Sequence, residues 1–316
     1  MQTALDSATH LSDLRRDARI EISKVVVGHE DAIELLLVAA IAGGHVLLEG
    51  PPGSAKTLLA SATARVIGVS FKRVQFTPDT DAHELIGSMT TRMGEAVFLP
   101  GAIFTNVLLA DEINRTPPRT QAALLEAMQE RRVSVDGKTH RLPDPFLVVA
   151  TQNPFEHEGI FRLPESQLDR FLFKINLTYA GEADEVQMLR LPHTGVTPDM
   201  LGEISPLLGP VRLDKSRQEL DSTALPEPVA RYLIALVRKT RDLPGVELGV
   251  SSRGAIHLAS ASKANARLDG RSTVTVADVQ AMAPHVLRHR LILSNGMTQD
   301  DVLAAALAAV EPPAGF

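Results

Sequence analysis

Between residues 45 and 66 the sequence passes from a short apolar stretch, through a turn dense in glycine and proline, into a helical repeat. His45-Val-Leu-Leu-Glu49 reads as a strand, and 56–66 reads as a helix. The turn between them is Gly50-Pro51-Pro52-Gly53-Ser54-Ala55-Lys56-Thr57. Glycines let backbone N–H groups turn inward around an oxyanion, and a helix N-terminus adds the positive end of its dipole. In such a loop Lys56 reaches the β- and γ-phosphates of a nucleotide and Thr57 ligates Mg²⁺. The usual pattern G-x-x-x-x-G-K-[ST] is broken at one place, where its last glycine is Ala55. A methyl group is tolerated there if φ stays negative, while Gly50 and Gly53 keep the freedom the turn needs.

Two further apolar runs end in polar residues. Residues 106–111 (NVLLAD) form a continuous run, as expected of a strand buried on both faces, and they deliver Asp111 and Glu112 to one sheet edge. Open α/β sheets bind ligands at the carboxyl ends of their strands. Asp111 there holds Mg²⁺ through its water shell, and Glu112 polarises an attacking water, which points to hydrolysis rather than storage. Residues 146–153 (FLVVATQN) place Asn153 beside the same edge, able to hold the water or the γ-phosphate. Further strands are expected at 71–76 and 171–177, and helices at 30–42 and 118–130, with an amphipathic helical lead-in over 1–26. Residues 133–142 alternate about Asp136-Gly137, a hairpin signal.

After Thr178 the pattern changes. Strands are no longer expected, and 182–191, 226–241, 253–268, 275–291 and 298–310 read as helices, with Thr275-Val-Ala-Asp278 as a capping box. Residues 192–225 are rich in proline and glycine and show little periodicity. The expected fold is therefore α/β, a parallel sheet between helices over 1–180, followed by an all-helical lid over 181–316.

Composition narrows the classes of function. With 316 residues, 44% hydrophobic and 22% charged, the chain can bury a core and is not a disordered or fibrous polymer. The absence of Cys removes disulfides, thiolate nucleophiles and cysteine metal sites. A net charge of −6, aromatics at 4% and no Trp argue against a nucleic-acid binder. No apolar run approaches the ~18–20 residues that span a bilayer, and the polar N-terminus lacks a signal-peptide core, so the expectation is a cytoplasmic protein. His285 and His289 lie four apart on one helix without an acidic third ligand, and His157 sits between Glu156 and Glu158, so neither is read as a metal site.

Taken together, the valines before Gly28-His29-Glu30, the phosphate loop, DEINRTPPRTQAALLEAMQE from Asp111, the TQNP strand end and LPESQLDRF from Leu163 resemble the MoxR family of AAA+ ATPases. The resemblance runs from about residue 20 to 311. It implies ATP and Mg²⁺ as cofactors. Ala55 then looks like the family's usual variant. The nucleotide-contacting residues it implies are Val27 and Gly28 against the adenine, the loop from Gly50 through Thr57, Leu58, and Arg253. Arg253 corresponds to the second sensor, contacting the γ-phosphate in cis. Arg170 corresponds to the arginine finger, which reaches the nucleotide of the neighbouring subunit. Catalysis falls to Lys56, Glu112, Asn153 and Arg170, with Thr57 and Asp111 on the metal. About 76–104 corresponds to the insertion in the second helix and about 132–143 to the hairpin before the first sensor. The resemblance further implies a homo-hexamer and a chaperone that matures client proteins, including metal-cofactor insertion, beside a protein with a von Willebrand factor A domain. Two relatives of this clade remain as alternatives. One is a DNA-acting motor, for which Arg131, Arg132, Lys138, His140 and Arg141 form a basic cluster, and the other is the ATPase subunit of a metal chelatase.

Overall fold

A computed structural model of the chain describes residues 11–154, 160–190, 198–294 and 296–315. Residues 1–10 of the lead-in, residue 191 of the helix expected over 182–191, and the loop around His157 lie outside the described residues. The apolar runs become parallel strands: β1 (His45–Glu49), β5 (Val107–Asp111) and β8 (Leu147–Gln152). With β2 (Phe71–Gln75) and β9 (Phe171–Asn176) they form one five-stranded sheet ordered β2-β5-β8-β1-β9. Alternate side chains of one strand enter different cores, which is why both parities are apolar. Val107 and Leu109 join the core on one face, and Leu108 and Ala110 join the core on the other. The edge strand β2 carries exposed Lys72, Arg73 and Gln75, the charge that discourages pairing with a further strand.

The first core is covered by α1 (Leu11–Ser23), α2 (Glu30–Ala42) and α3 (Lys56–Ile67). The second is covered by α4 (Ala82–Ile86) and α5 (Pro118–Glu130), where Leu85, Leu124, Leu125 and Met128 pack on Leu108 and Val148. Two antiparallel hairpins leave this body. The one expected about Asp136-Gly137 is present as β6 (Arg132–Val135) and β7 (Lys138–Arg141), with φ of 47° and 75° at its central residues. The other, β3 (Gly87–Arg92) and β4 (Glu95–Pro100), lies within the segment 76–104 and turns at Met93-Gly94 with φ of 53° and 84°. Phe98 of this hairpin stacks on His140 of the other, ring centroids 3.7 Å apart.

The remaining helices are α6 (Glu165–Leu168), α7 (Glu182–Met188), α8 (Pro210–Asp221), α9 (Glu227–Asp242), α10 (Ser252–Leu268), α11 (Val276–Leu287) and α12 (Gln299–Ala309). Three expectations are corrected here. The segment of little periodicity holds α8, whose buried stripe is only Leu213, Ser216 and Leu220. The helical region contains a small ribbon, β10 (Val246–Leu248) paired antiparallel with β11 (Ile292–Leu293). The helix expected over 275–291 ends at Leu287 and continues as a single 3₁₀ turn, Arg288–Arg290. The lid helices do not form a core of their own: Leu233, Leu258, Val279 and Leu303 belong to the same cluster as Leu14, Leu36 and Val46.

The capping box at Thr275 and Asp278 is formed, and it is part of a larger network. Asp278, 1% exposed, accepts from Arg271 at 2.6 and 2.7 Å, from Asn265 at 2.8 Å and from the Thr275 backbone at 2.8 Å. Burial disfavours its ionised form, but these bonds outweigh burial and hold the carboxyl below its ordinary value. A depressed carboxyl pKa gives stability that is present above the unfolded value near 4 and is lost as pH falls through the folded value. Asp278→Asn is expected to destabilise the chain by about 2 kcal/mol at pH 7. In urea unfolding the difference from the parent should vanish in acid below the folded value.

Candidate nucleotide site

The loop after β1 is set by three local constraints. Gly50 has no room for a side chain, because a Cβ there would sit 2.6 Å from the Leu177 carbonyl oxygen. Gly53 takes φ of 81°, open to glycine. Ala55 also lies in the left-handed region, at φ 59° and ψ 17°. The expectation that its φ stays negative is thus corrected: the methyl is accommodated with strain, not by an ordinary backbone. Ala55→Gly should relieve this strain and, net of the extra freedom glycine gains when unfolded, stabilise the fold by about 0.5–1 kcal/mol in urea titrations. Lys56 Nζ donates to the carbonyls of Gly50 and Pro51, both at 2.7 Å, and lies 3.5 Å from Ser54 Oγ. Ser54 Oγ itself donates to the Pro51 carbonyl at 2.8 Å. Pro52 lies within this loop, and Leu58 follows it in α3.

Asp111 ends β5, which β8 separates from β1. Its Oδ2 accepts from Thr57 Oγ1 at 3.3 Å and from Arg73 Nε and Nη2 at 3.0 and 2.7 Å. Its Oδ1 accepts from Thr151 Oγ1 at 2.5 Å. Glu112 follows in the left-handed conformation, φ 58°, with its N–H on Thr151 Oγ1 at 2.9 Å and its Oε2 accepting from Arg115 at 2.8 Å. Asn153 is buried one residue beyond β8. The register pairs Glu49 with Gln152, which sets Asn153 opposite Gly50, where the Gly50 N–H reaches the Gln152 carbonyl at 3.4 Å. Lys56, Thr57, Asp111, Glu112 and Asn153 therefore lie together at the carboxyl edge of the sheet. Arg73 and Thr151 orient Asp111, and sequence reasoning misses both. Thr151 lies inside the strand end that leads to Asn153, so attention to the polar groups just before that residue could find it.

On the side expected to hold adenine, Gly28 takes φ of 76°. A Cβ there would sit 2.9 Å from Asp184 Oδ2, so α7 closes directly on the glycine. Val27 and Gly28, with Ile33, Asp184 and Gln187, line a cavity of about 220 Å³.

Arg170 and Arg253 lie elsewhere. Phe171 pairs with His45, so Arg170 stands at the amino end of the strands, whereas the phosphate loop follows their carboxyl end. The separation is roughly 16 Å at 3.3 Å per residue, beyond the reach of an arginine side chain. Arg170 Nη1 donates to the Leu125 carbonyl at 2.7 Å beside a cavity of about 330 Å³. Arg253 lies 3.6 Å from Asp169 at this same edge. Its expected contact with the γ-phosphate in cis is corrected: the fold carries it away from its own phosphate loop and alongside Arg170. The basic cluster at the second hairpin is not a continuous stripe either. Arg131 is largely buried and donates to the carbonyls of Gly43 and Phe146, Arg132 pairs with Glu130 at 3.2 Å, and His140 is stacked on Phe98. No helix among the described residues is long and apolar enough to cross a membrane.

The ATPase family associated with various cellular activities (AAA) matches residues 45–173, and the AAA lid domain matches 238–306. Protein YeaC of Bacillus subtilis is 42% identical over 92% of this chain and 92% of its own length. The chaperone MoxR1 of Mycobacterium tuberculosis is 42% identical over 90% of this chain and 77% of its own. A crystal structure of a Cytophaga hutchinsonii protein superposes with a TM-score of 0.87 at 35% identity, covering 96% of both chains. With the phosphate loop, the acidic strand end and the lid in these positions, the chain belongs to the MoxR family of AAA+ ATPases.

Proposed function

We propose that this protein hydrolyses ATP to ADP and phosphate in sites shared between copies of the chain, and uses the cycle to remodel partner proteins. The observation that carries this reading is the placement of the phosphate loop and of Arg170 at opposite edges of one sheet. A subunit so built is half of two sites, and head-to-tail association that closes makes a ring. Kinship supports a hexamer.

The donor set fits a hard cation. The Thr57 hydroxyl and the Asp111 carboxylate, 3.3 Å apart, are oxygen ligands of the kind Mg²⁺ takes, and Thr151 fixes the carboxylate from behind. Mg²⁺ held there would neutralise charge on the β- and γ-phosphates. Lys56 and the loop amides hold the phosphates, and the Gly28 side receives the adenine. Glu112, once turned from Arg115, accepts the proton of the attacking water, and Asn153 orients that water. Arg170, with Arg253 beside it, comes from the next subunit to meet the charge that builds on the transferring phosphoryl group.

The remodelling role rests on the relative named a chaperone. Maturation of a client's metal centre, a von Willebrand factor A partner and a cytoplasmic setting are carried by kinship as well. Turnover per subunit, followed against protein concentration, tests the shared site. It should rise as subunits assemble, while Glu112→Gln binds ATP and does not turn it over. Turnover that is flat with concentration overturns the shared site and leaves a monomeric nucleotide switch.

A further inference from the structure

We propose that Arg290 positions the trans-acting Arg170, tying the lid of each subunit to the strand end from which Arg170 projects. The proposal rests on the reading of Arg170 as a group that works in the neighbour's site. Arg290 ends the 3₁₀ turn after α11, so it belongs to the lid, and its side chain is 1% exposed. Its guanidinium is used almost entirely on the residues around Arg170. Nε donates to Asp169 Oδ1 at 2.8 Å, and Nη2 donates to the carbonyls of Asp169 at 3.1 Å and Phe171 at 2.6 Å. Nη1 reaches the Leu172 carbonyl at 3.4 Å and also the carbonyl of Val286 in α11.

The backbone is irregular where these acceptors lie. β9 meets β1 with a register shift: His45 pairs with Phe171 and Val46 with Phe173, leaving Leu172 as the extra residue of a bulge. Lid groups converge on the backbone around this bulge. His289 Nε2 donates to the Phe171 carbonyl at 3.1 Å, and His257 Nδ1 accepts from Arg290 at 2.5 Å. Ser251 Oγ donates to the Asp169 carboxylate at 3.2 Å. Gly254 leaves the passage open, because a Cβ there would lie 3.0 Å from Arg290 Cδ. A buried charged fork is a poor choice for stability alone, since well-packed apolar residues commonly do as well. What the fork adds is a fixed geometry between the lid and the strand end. A shift of the lid moves residues 169–172, and with them Arg170, whose other anchor is the Leu125 carbonyl.

Mixing pairs of inactive variants tests this. Arg170→Ala mixed with Glu112→Gln is the control: its recovery shows that fingers act in trans, and its failure overturns that reading itself. Arg290→Lys and Asp169→Asn are each expected to lower kcat about tenfold or more with the KM for ATP within about twofold of the parent. Mixed in equal amounts with Glu112→Gln, each should recover toward roughly a quarter of parental turnover. That is the share of interfaces in random rings that pair an intact loop with an intact finger. If the control pair recovers but the Arg290→Lys and Asp169→Asn mixtures do not, or if either variant alone keeps parental turnover, the positioning role is overturned. Thermal melting decides which variant to weigh. If Arg290→Lys does not fold, Asp169→Asn, which leaves the buried fork in place, decides the outcome alone.

Discussion

Arg170→Ala is expected to lower kcat for ATP about 10³-fold while nucleotide affinity changes little. The side chain stands at the amino edge of the sheet and its own phosphate loop at the carboxyl edge, so its removal leaves every contact of the cis loop in place. What is lost is charge stabilisation in the transition state, close to 4 kcal/mol for a 10³-fold change. The fold should suffer less, since the structural contact removed is one hydrogen bond to the Leu125 carbonyl, worth about 1 kcal/mol. Steady-state turnover paired with nucleotide-binding titrations separates the two effects. A variant that keeps turnover within threefold of the parent, or that loses affinity in proportion to rate, would remove Arg170 from the chemistry.

Mild acid is expected to destabilise the protein steeply, because the fold holds three histidines, buried His45 and half-buried His257 and His289, in the neutral form. His45 is held at about 3, first by burial and then by the charge of Arg131. It is engaged on both nitrogens, Nδ1 accepting from the Val148 N–H at 2.9 Å and Nε2 donating to the Met128 carbonyl at 3.2 Å. His257 is held at about 4 by burial and by Arg290, and burial sets His289 well below its ordinary value. Once the chain unfolds, each titrates near 6.5, so the unfolded state binds more protons between that value and the folded one. Stability therefore falls as pH falls through this window, by about 1.4 kcal/mol per pH unit for each histidine. From pH 7.5 to 5 His45 and His257 together contribute about 4 kcal/mol, a large part of the stability of a typical domain, and His289 adds in the same direction. Urea unfolding at pH 7.5 and 5.0 measures the loss, and His45→Gln should flatten the slope by about one third. Equal stability at the two pH values would mean that these rings are protonated in the folded chain.

The parts of the fold legible in the sequence are those whose burial is written locally. Strands β1, β5 and β8 read as strands because both faces are buried, and the second hairpin because Asp136-Gly137 tolerates positive φ. The site residues at the carboxyl edge follow, since each ends such a strand or opens the helix after it. What escapes depends on distant partners. The β3–β4 hairpin is mostly exposed, so no apolar alternation marks it, and Met93-Gly94 is not a common turn pair. α8 shows a stripe of three residues, one of them a serine. Arg73, Thr151 and Arg290 act through residues 38, 40 and 121 positions away, a separation no local pattern records. The side of the molecule on which Arg253 lies is equally hidden, because a helix start states which residue leads it and not where the helix docks.

The core shared by the nucleotide-binding part and the lid has a mechanical consequence. Leu36 of the nucleotide-binding part and Leu258 of the lid are members of one apolar cluster, so prying the lid open by a wide hinge would wet that interior. Every 100 Å² so exposed costs about 2.5 kcal/mol, and an opening of several hundred would consume much of the free energy a bound nucleotide supplies. Within one copy the permitted motion is a shallow slide of packed helices. If the proposed ring forms, its large displacements are expected at the seams between copies, where whole subunits tilt as solid blocks, so the stroke would belong to the circle rather than to any of its members.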